Sequence, residues 1–292
     1  MSNTVESDAP HNQLDALRKW IGRGETRSDQ VTAAPVAAMS ATLDRDDAQP
    51  VTGSELPALW HWMYFTPLAR QSEIGVDGIA KRGGLLPPVP LPRRMFAGGR
   101  LTFGRALKVG DEIERASRVI DVNGKQGRSG YMVFVTVQHE IANARGVAIV
   151  EEHDIVYREN PRPNDRVTDP QTARTDESFS RQITPDPVLL FRYSALTFNG
   201  HRIHYDRTYV SEVEGYPGLI VHGPLIATLL VDLLRRNVPT ATLRNFSFRA
   251  MRPLFDIHHF EVCGRQDGEN RVALWARDHE GNLAMDASAE LN

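Results

Sequence analysis

The sequence predicts an α+β protein built on antiparallel sheet, and three observations carry that prediction. β texture appears twice, once from Gly110 to about Glu159 and again toward the C-terminus. One strongly apolar helix signal, Pro224 to about Arg236, precedes the strands of the second run. The two runs also match loosely. ARDHEGNLAMDASAEL follows the strand, Asn-containing turn and strand of VQHEIANARGVAIVEEHDIVY, and RPLFDIHHFEVCGRQDG follows RALKVGDEIERASRVIDVNG. A long apolar helix beside a curved antiparallel sheet is an α+β arrangement, and the internal match suggests two copies of one β-rich unit.

Each element has a local reason. Leu14, Leu17, Trp20 and Ile21 are spaced for one helix face after a polar tail over 1–13, and Gly22 and Gly24 end it. VAAMSATLD (36–44) is a second short amphipathic patch. Residues 83–99, GGLLPPVPLPRRMFAGG, hold Pro87, Pro88, Pro90 and Pro92, which exclude a regular helix or central strand. Two readings stay open there: an irregular surface loop, or a rigid loop walling a ligand site and ending in Arg93 and Arg94. Ile113 to Val122 reads as a strand turning at Asn123-Gly124, YMVFVTVQH (131–139) as the next, and VAIVEEHDIVYRE as the third. Residues 158–187 are charged, proline-rich and poor in apolar side chains, which is linker composition. They are expected to join a first half over 14–157 to a second over 188–292. Pro224 suits a first helical position, and Arg235 and Arg236 suit the C-terminal end of the helix dipole.

Bulk properties exclude several classes. With 292 residues the chain exceeds the ~100–200 of one domain. Hydrophobic residues at 41% and charged residues at 24% fit ordinary globular usage, against global disorder. The formal net charge of −3 lacks the basic excess of a general nucleic-acid binder. The lone cysteine, Cys263, allows neither an internal disulfide nor a multi-cysteine zinc site. The polar, acid-containing start does not read as a secretory signal. The longest apolar stretch, Gly218 to Leu234, contains His222, Thr228 and Asp232 and falls short of ~20 clean apolar residues. No membrane span is therefore expected, and a cytoplasmic location is.

Chemistry concentrates in YSALTFNGHRIHYD (193–206) and YPGLIVHGPLIATLL (216–230). The second places His222-Gly223 at a helix start, where backbone N–H groups lack intrahelical partners and carry partial positive charge. Gly223 would let a substrate carbonyl approach that backbone, or it merely eases the turn. His204, as a neutral imidazole, suits a general base on water, with Asn199 holding the water or the substrate. A metal reading of His201-x-x-His204-x-Asp206 is the minor alternative. His201, Arg202 and Asp206 otherwise read as a polar loop network. His258 and His259 read as structural residues of a strand. Trp60, His61, Trp62, Tyr64 and Phe65 are either core packing or a hydrophobic pocket for an acyl group.

SALTFNGHRIHYD with the later IVHGPL resembles the hydratase/dehydratase motif of the MaoC-like hot-dog superfamily. His204 falls on that motif's catalytic histidine. Asn199 stands where most members have aspartate, His201 where they have asparagine, and Arg202 where they have proline. An asparagine cannot accept a proton, which sets this chain apart from an Asp/His pair. TFNxHRIHYD is similar to the branch of mesaconyl-C4-CoA (3-methylfumaryl-CoA) hydratases and type 2 hydroxyacyl-thioester dehydratases, which carries asparagine there. WIGR (20–23), Asp77-Gly78, LPPVPLPRRMFAGG, GRSG (127–130) and DIVYRE (154–159) resemble that branch's non-catalytic first half.

The resemblance implies a double hot-dog fold, each half wrapping an antiparallel sheet around one long helix, with the active site between halves. It implies an acyl-CoA substrate, no metal, no redox cofactor, and a homodimer. The reaction expected is reversible hydration of an α,β-unsaturated acyl-CoA, with catalysis by Asn199, His204 and Gly223. The preferred substrate is mesaconyl-C4-CoA, giving citramalyl-CoA. Itaconyl-CoA, another enoyl or 3-hydroxyacyl thioester, and an inactive acyl-CoA-binding module are the alternatives. The free carboxylate of a methylfumaryl group calls for a guanidinium. Arg93, Arg94, Arg192 and Arg202 are candidates by proximity to the motifs, with His201 and His222 as further substrate contacts.

Overall fold

The computed structural model describes residues 9–127, 130–160 and 169–292. All ten strands among them join one antiparallel sheet. The first half supplies β1 (Gly24–Gln30), β2 (Arg93–Phe103), β3 (Glu112–Gly127), β4 (Gly130–Asn143) and β5 (Gly146–Arg158). The second supplies β6 (Phe179–Ile183), β7 (Leu243–Ala250), β8 (Phe260–Gln266), β9 (Arg271–Asp278) and β10 (Leu283–Leu291). Their order is β1-β3-β4-β5-β2-β7-β10-β9-β8-β6. Read outward from the centre, each half repeats the same arrangement, so the sequence match reflects a duplicated unit. The halves are joined edge to edge, with Leu101 of β2 opposite Phe246 of β7.

The long helix α4 (Gly223–Asn237) starts one residue before the expected Pro224 and buries ten residues in a row, Leu225 to Leu234. Its apolar surface packs in one core with residues of both halves, including Leu56, Leu59 and Trp60. The first half differs from the expected pattern, because among the described residues it has no long helix of its own. After α1 (Ala9–Arg18), β1 and α2 (Ala33–Thr42), residues 43–92 form irregular backbone with single 3-10 turns at Trp60–Met63 and Gln71–Glu73. Pro50, Pro57, Pro67 and the four prolines from 87 to 92 explain this, since each removes a helix donor. The proline-rich stretch lies against β3 to β5, with Val89 and Leu91 buried beside Val133 and Tyr157.

Two boundaries shift from expectation. α1 begins inside the stretch expected to be a polar tail, of which residues 1–8 lie outside the described residues. The expected linker, of which 161–168 lie outside them, contains β6, which pairs with β8 and closes the sheet. β6 reads FSRQI with an alternating exposed face, and an edge strand that short and polar has linker-like composition. Arg128 and Ser129 of the GRSG motif also lie outside the described residues. His258 and His259 precede β8 in an exposed turn rather than lying within a strand, and His258 stacks on His279.

Candidate active site

The site is assembled from a loop, a helix start and one strand. Helix α3 (Pro187–Leu196) is N-capped by Asp186, whose carboxylate accepts from the Leu189 N–H at 2.9 Å. It ends in a sharp turn with Phe198 at φ +50° and the Asn199 N–H donating to the Ser194 carbonyl at 2.8 Å. Asn199 Oδ1 accepts from the His201 N–H at 3.0 Å, which fixes the amide and leaves Nδ2 as its donor. A 3-10 turn over Arg202–His204 then places the His204 ring inside the protein.

His204 Nδ1 lies 2.7 Å from the Ile220 carbonyl oxygen. A carbonyl only accepts, so Nδ1 is the protonated nitrogen and Nε2 carries the lone pair. Burial holds the imidazole pKa down at about 3, so the ring is neutral at pH 7. His201 is likewise lowered, to about 4, by burial and then by the positive charge of Arg94.

α4 begins beside these groups. The His222 ring stacks on His204 and bonds through Nε2 to Ser194 Oγ at 2.8 Å. The first helical bond runs from the Ile226 N–H to the His222 carbonyl, and the Gly223 N–H has no backbone acceptor among the described residues. Pro224 brings no N–H, so the Gly223 donor stands forward at the positive end of the helix. A Cβ on Gly223 would sit 3.6 Å from the Phe96 ring, the nearest atom to that space.

A cavity of about 600 Å³ is lined by His204, His201, Asn199, Gly223, Arg93 and Arg94. A second, of about 1060 Å³, opens into the first half along His61, Trp62, Arg115, Glu151 and His153. The two share Ile79, Arg94, Phe96, Asn199 and Pro224 as walls. Asn199 thus borders both cavities.

The arginine candidates separate clearly. Arg94 faces both cavities and forms no ion pair among the described residues. Arg93 lines the smaller cavity, but its guanidinium is held by Asn160 Oδ1, Tyr216 Oη and the Glu214 carbonyl. Arg202 is taken up by Asp206 at 2.8 Å and the Val76 carbonyl at 3.0 Å, and it lies over the Tyr209 ring, so it is not a free carboxylate ligand. Arg192 is exposed on α3 and lines a different depression with Arg181 and Asp186, because its helix phase turns it away from buried Tyr193 and Ser194. His222 is also corrected. It is buried behind His204, spends its Nε2 on Ser194 and lines neither cavity, so it stands behind the ring rather than on the cavity wall.

The minor metal reading fails on geometry. Asp206 is used by Arg202 and by the Tyr209 N–H, and His204 Nδ1 by Ile220. The ligand-type group that does converge among the described residues is His139, Glu151 and His153, with ligand atoms within 4.8 Å of one another.

One feature was left open by the sequence reading and another escaped it. The aromatic cluster is partly cavity wall, since His61, Trp62, Tyr64 and Phe65 all line the larger space. A first-half loop also grips the loop that carries Asn199 and His204. The Arg202 N–H donates to the Asp77 carbonyl at 2.9 Å, and a Cβ on Gly78 would lie 1.9 Å from the Gly200 oxygen. The signal was the bare Asp77-Gly78 pair.

The duplicated sheet around one long helix, with a buried histidine facing a helix start, defines a double hot-dog protein of hydratase–dehydratase architecture. Solved structures agree on the fold. A MaoC-like dehydratase aligns over 94% of this chain and 99% of its own, with TM-score 0.70 and 14% identity. One from Phytophthora capsici covers 96% and 98%, with TM-score 0.67 and 12% identity. The family model for hydroxyacyl-thioester dehydratase type 2 matches residues 59–256, and the chain belongs to that family. The mesaconyl-C4-CoA hydratase of Chloroflexus aurantiacus is 45% identical over 272 residues, 93% of this chain and 96% of that protein. The mitochondrial type 2 hydroxyacyl-thioester dehydratase of Schizosaccharomyces pombe is 25% identical over 280 residues, 85% and 90% of the two chains. No helix among the described residues is long and apolar enough to cross a membrane.

Proposed function

We propose that this protein is a hydro-lyase that adds water reversibly to an α,β-unsaturated acyl-CoA, with mesaconyl-C4-CoA as substrate and citramalyl-CoA as product. The observation that carries the reading is the His204–Ile220 hydrogen bond, which presents an unprotonated Nε2 beside the Asn199 amide and the Gly223 N–H. The relative from Chloroflexus aurantiacus supports the choice of acyl group.

The thioester carbonyl accepts from the Gly223 N–H, which draws electron density from the β-carbon. Asn199 Nδ2 and His204 Nε2 hold a water. His204 takes one proton as the oxygen bonds to the β-carbon, and the π electrons move onto the thioester oxygen. The enolate is stabilised where its charge forms, at the helix start. Returning the proton to the α-carbon restores neutral His204 and completes the addition of water. Asn199 cannot serve as a base, so the proton traffic runs through His204. The free carboxylate of the methylfumaryl group pairs with Arg94, the one candidate guanidinium that lines both cavities, and no ion pair among the described residues engages it.

The chemistry needs no metal or redox cofactor. The chain is proposed to act as a cytoplasmic homodimer, testable by light scattering at twice 32.7 kDa. The decisive assay follows loss of the enoyl-thioester chromophore with mesaconyl-C4-CoA, itaconyl-CoA and crotonyl-CoA. Faster hydration of mesaconyl-C4-CoA supports the substrate. Faster hydration of crotonyl-CoA overturns that choice and keeps the reaction class. Turnover of none of them leaves the acyl-CoA-binding module as the reading.

A further inference from the structure

Strand β2 has two neighbours for only part of its length. It pairs with β5 from Arg93 onward, but with β7 only from Gly98 to Thr102. Past Ala250 the second-half chain turns away, and the Met251 N–H donates to the Ala284 carbonyl at 2.9 Å. Residues 93–96 therefore keep one edge open. Alternate N–H and C=O groups along that edge have no backbone partner among the described residues. The smaller cavity fills the gap. Met95 and Phe96 of one half wall it, with Ala250, Met251 and Leu254 of the other. Its inner end is the site described above, where Gly223 borders Phe96. Arg93 stands three residues before Phe96 along β2, about 10 Å at the rise of a strand, where Pro92 and Asn160 are exposed.

Positive charge gathers at that far end. Arg93 and Arg158 are direct cross-strand partners, and both line the cavity. Like charges in that register weaken a sheet. Glu214 offsets one of them, at 3.9 Å from Arg93, while Arg158 has no ion pair among the described residues. The Arg158 Nε is enclosed in the wall, which leaves its terminal nitrogens as the donors a ligand could meet. Arg93 spends three of its five N–H groups on Asn160, Tyr216 and Glu214, so two remain. Burial raises the Tyr216 phenol, and the charges of Arg93 and Arg158 both act against it, which places the two guanidinium groups around one spot. An open strand edge suits amides, and paired guanidinium groups suit a phosphate. The arm that joins an acyl group to the nucleotide of CoA offers both in that order, two amides and then a phosphate.

We propose that Arg158, beside Arg93, clamps the phosphate of the substrate's phosphopantetheine arm, which runs through the smaller cavity with its amides bonded to the open edge of β2. The inference rests on the hydratase reading above and names the residues that read the carrier rather than the acyl group. An acyl-carrier protein presents the same phosphate as CoA, so the clamp reads a feature that both carriers share.

The test compares mesaconyl-C4 thioesters of pantetheine 4′-phosphate, pantetheine and N-acetylcysteamine, in wild-type protein and in Arg158→Met and Arg158→Lys. CoA and acyl-carrier-protein thioesters run beside them, and the better of these two shows which carrier supplies the phosphate. The expected result is a kcat/KM about tenfold or more higher with the pantetheine phosphate than with pantetheine. In Arg158→Met the phosphorylated thioester should fall to the level of the pantetheine one, and Arg158→Lys should keep part of the step. Pantetheine should in turn exceed N-acetylcysteamine, which lacks the second amide for β2. Equal rates with pantetheine and its phosphate in wild type overturn the clamp without any variant. A full step in folded Arg158→Met overturns the assignment to Arg158. Equal rates with pantetheine and N-acetylcysteamine overturn the pairing with the β2 edge. Turnover of none of the thioesters would count against the hydratase reading alone, because the Kd values of pantetheine 4′-phosphate and pantetheine, compared by calorimetry, still read the clamp.

Discussion

The imidazole rings of His204 and His222 lie face to face, with centroids 3.6 Å apart and planes inclined by 19°. Two protonated rings at that distance would repel, so the stack favours the neutral pair. It also fixes the plane of His204 and hence the direction of Nε2. His204→Ala should therefore lower kcat by roughly 10²–10⁴ while far-ultraviolet circular dichroism stays unchanged. Near-normal turnover in that variant would sink the assignment. Asn199→Ala should also lower kcat strongly, since the water then loses its second holder.

The Ser194–His222 contact predicts a different kind of loss. Ser194→Ala removes the partner of a fully buried ring nitrogen, which should cost about 1–3 kcal/mol of stability. His204 keeps its own bond to Ile220, so kcat should fall far less than in His204→Ala. A thermal melt read beside steady-state rates separates the two effects.

Asp232, buried on α4, ties the halves together. Its carboxylate meets Arg45 at 2.7 Å, Arg236 at 2.7 Å and Arg181 at 3.2 Å. Arg45 comes from the first half, just past α2. Asp232→Ala leaves three guanidinium groups around an empty place and should destabilise the fold by about 3–5 kcal/mol, seen as a lower urea midpoint. An unchanged midpoint would show that the arginines find other partners.

These residues also show what the sequence could tell. Strands β3 to β5 were legible because apolar and polar residues alternate between turn signals, and α4 because its apolar run is too long for a strand. β6 was not, since FSRQI has the composition of the linker around it. The grouping of Asn199, His204 and Gly223 around one cavity was legible because they lie close along the chain. Arg192 was misplaced because nearness in sequence ignores helix phase. The buried polar cluster of His61, Arg115, Glu151 and His153 was invisible for the opposite reason. Its members come from a 3-10 turn, β3 and β5, and only tertiary packing unites them. A hint was present in VEEHDIV, where Glu151 and His153 share one face of the strand while Glu152 and Asp154 share the other.

The contact between the first-half loop and the catalytic loop is a backbone-to-backbone one. Gly78 has φ +87°, and any Cβ there would press on the Gly200 oxygen. Gly78→Ala should lower kcat more than it lowers stability, because the displaced loop carries Asn199. Gly83→Ala is the control. Its φ is +103° but nothing lies within 4 Å, so it should cost only about 1–2 kcal/mol of backbone strain and leave kcat alone. Equal kinetic effects in the two variants would mean that the contact does not position the loop.

Acid should unfold this protein early, and the sign follows from its histidines. Burial lowers His139 and His204 to about 3 and His201 to about 4, and holds His222 well down. In the unfolded chain each titrates near pH 6.5. Between those values the unfolded state binds protons that the folded state refuses, so stability falls as pH falls. The contribution is fully present above about pH 6.5 and is progressively lost toward pH 4. Urea midpoints measured from pH 7.5 down to 4.5 should decline steeply, and the slope should report uptake of up to four protons on unfolding. His139→Asn, remote from the catalytic loop, should flatten that slope by up to one proton while keeping turnover. A flat profile across the range would mean that these rings are hydrated, or charged, in the folded protein.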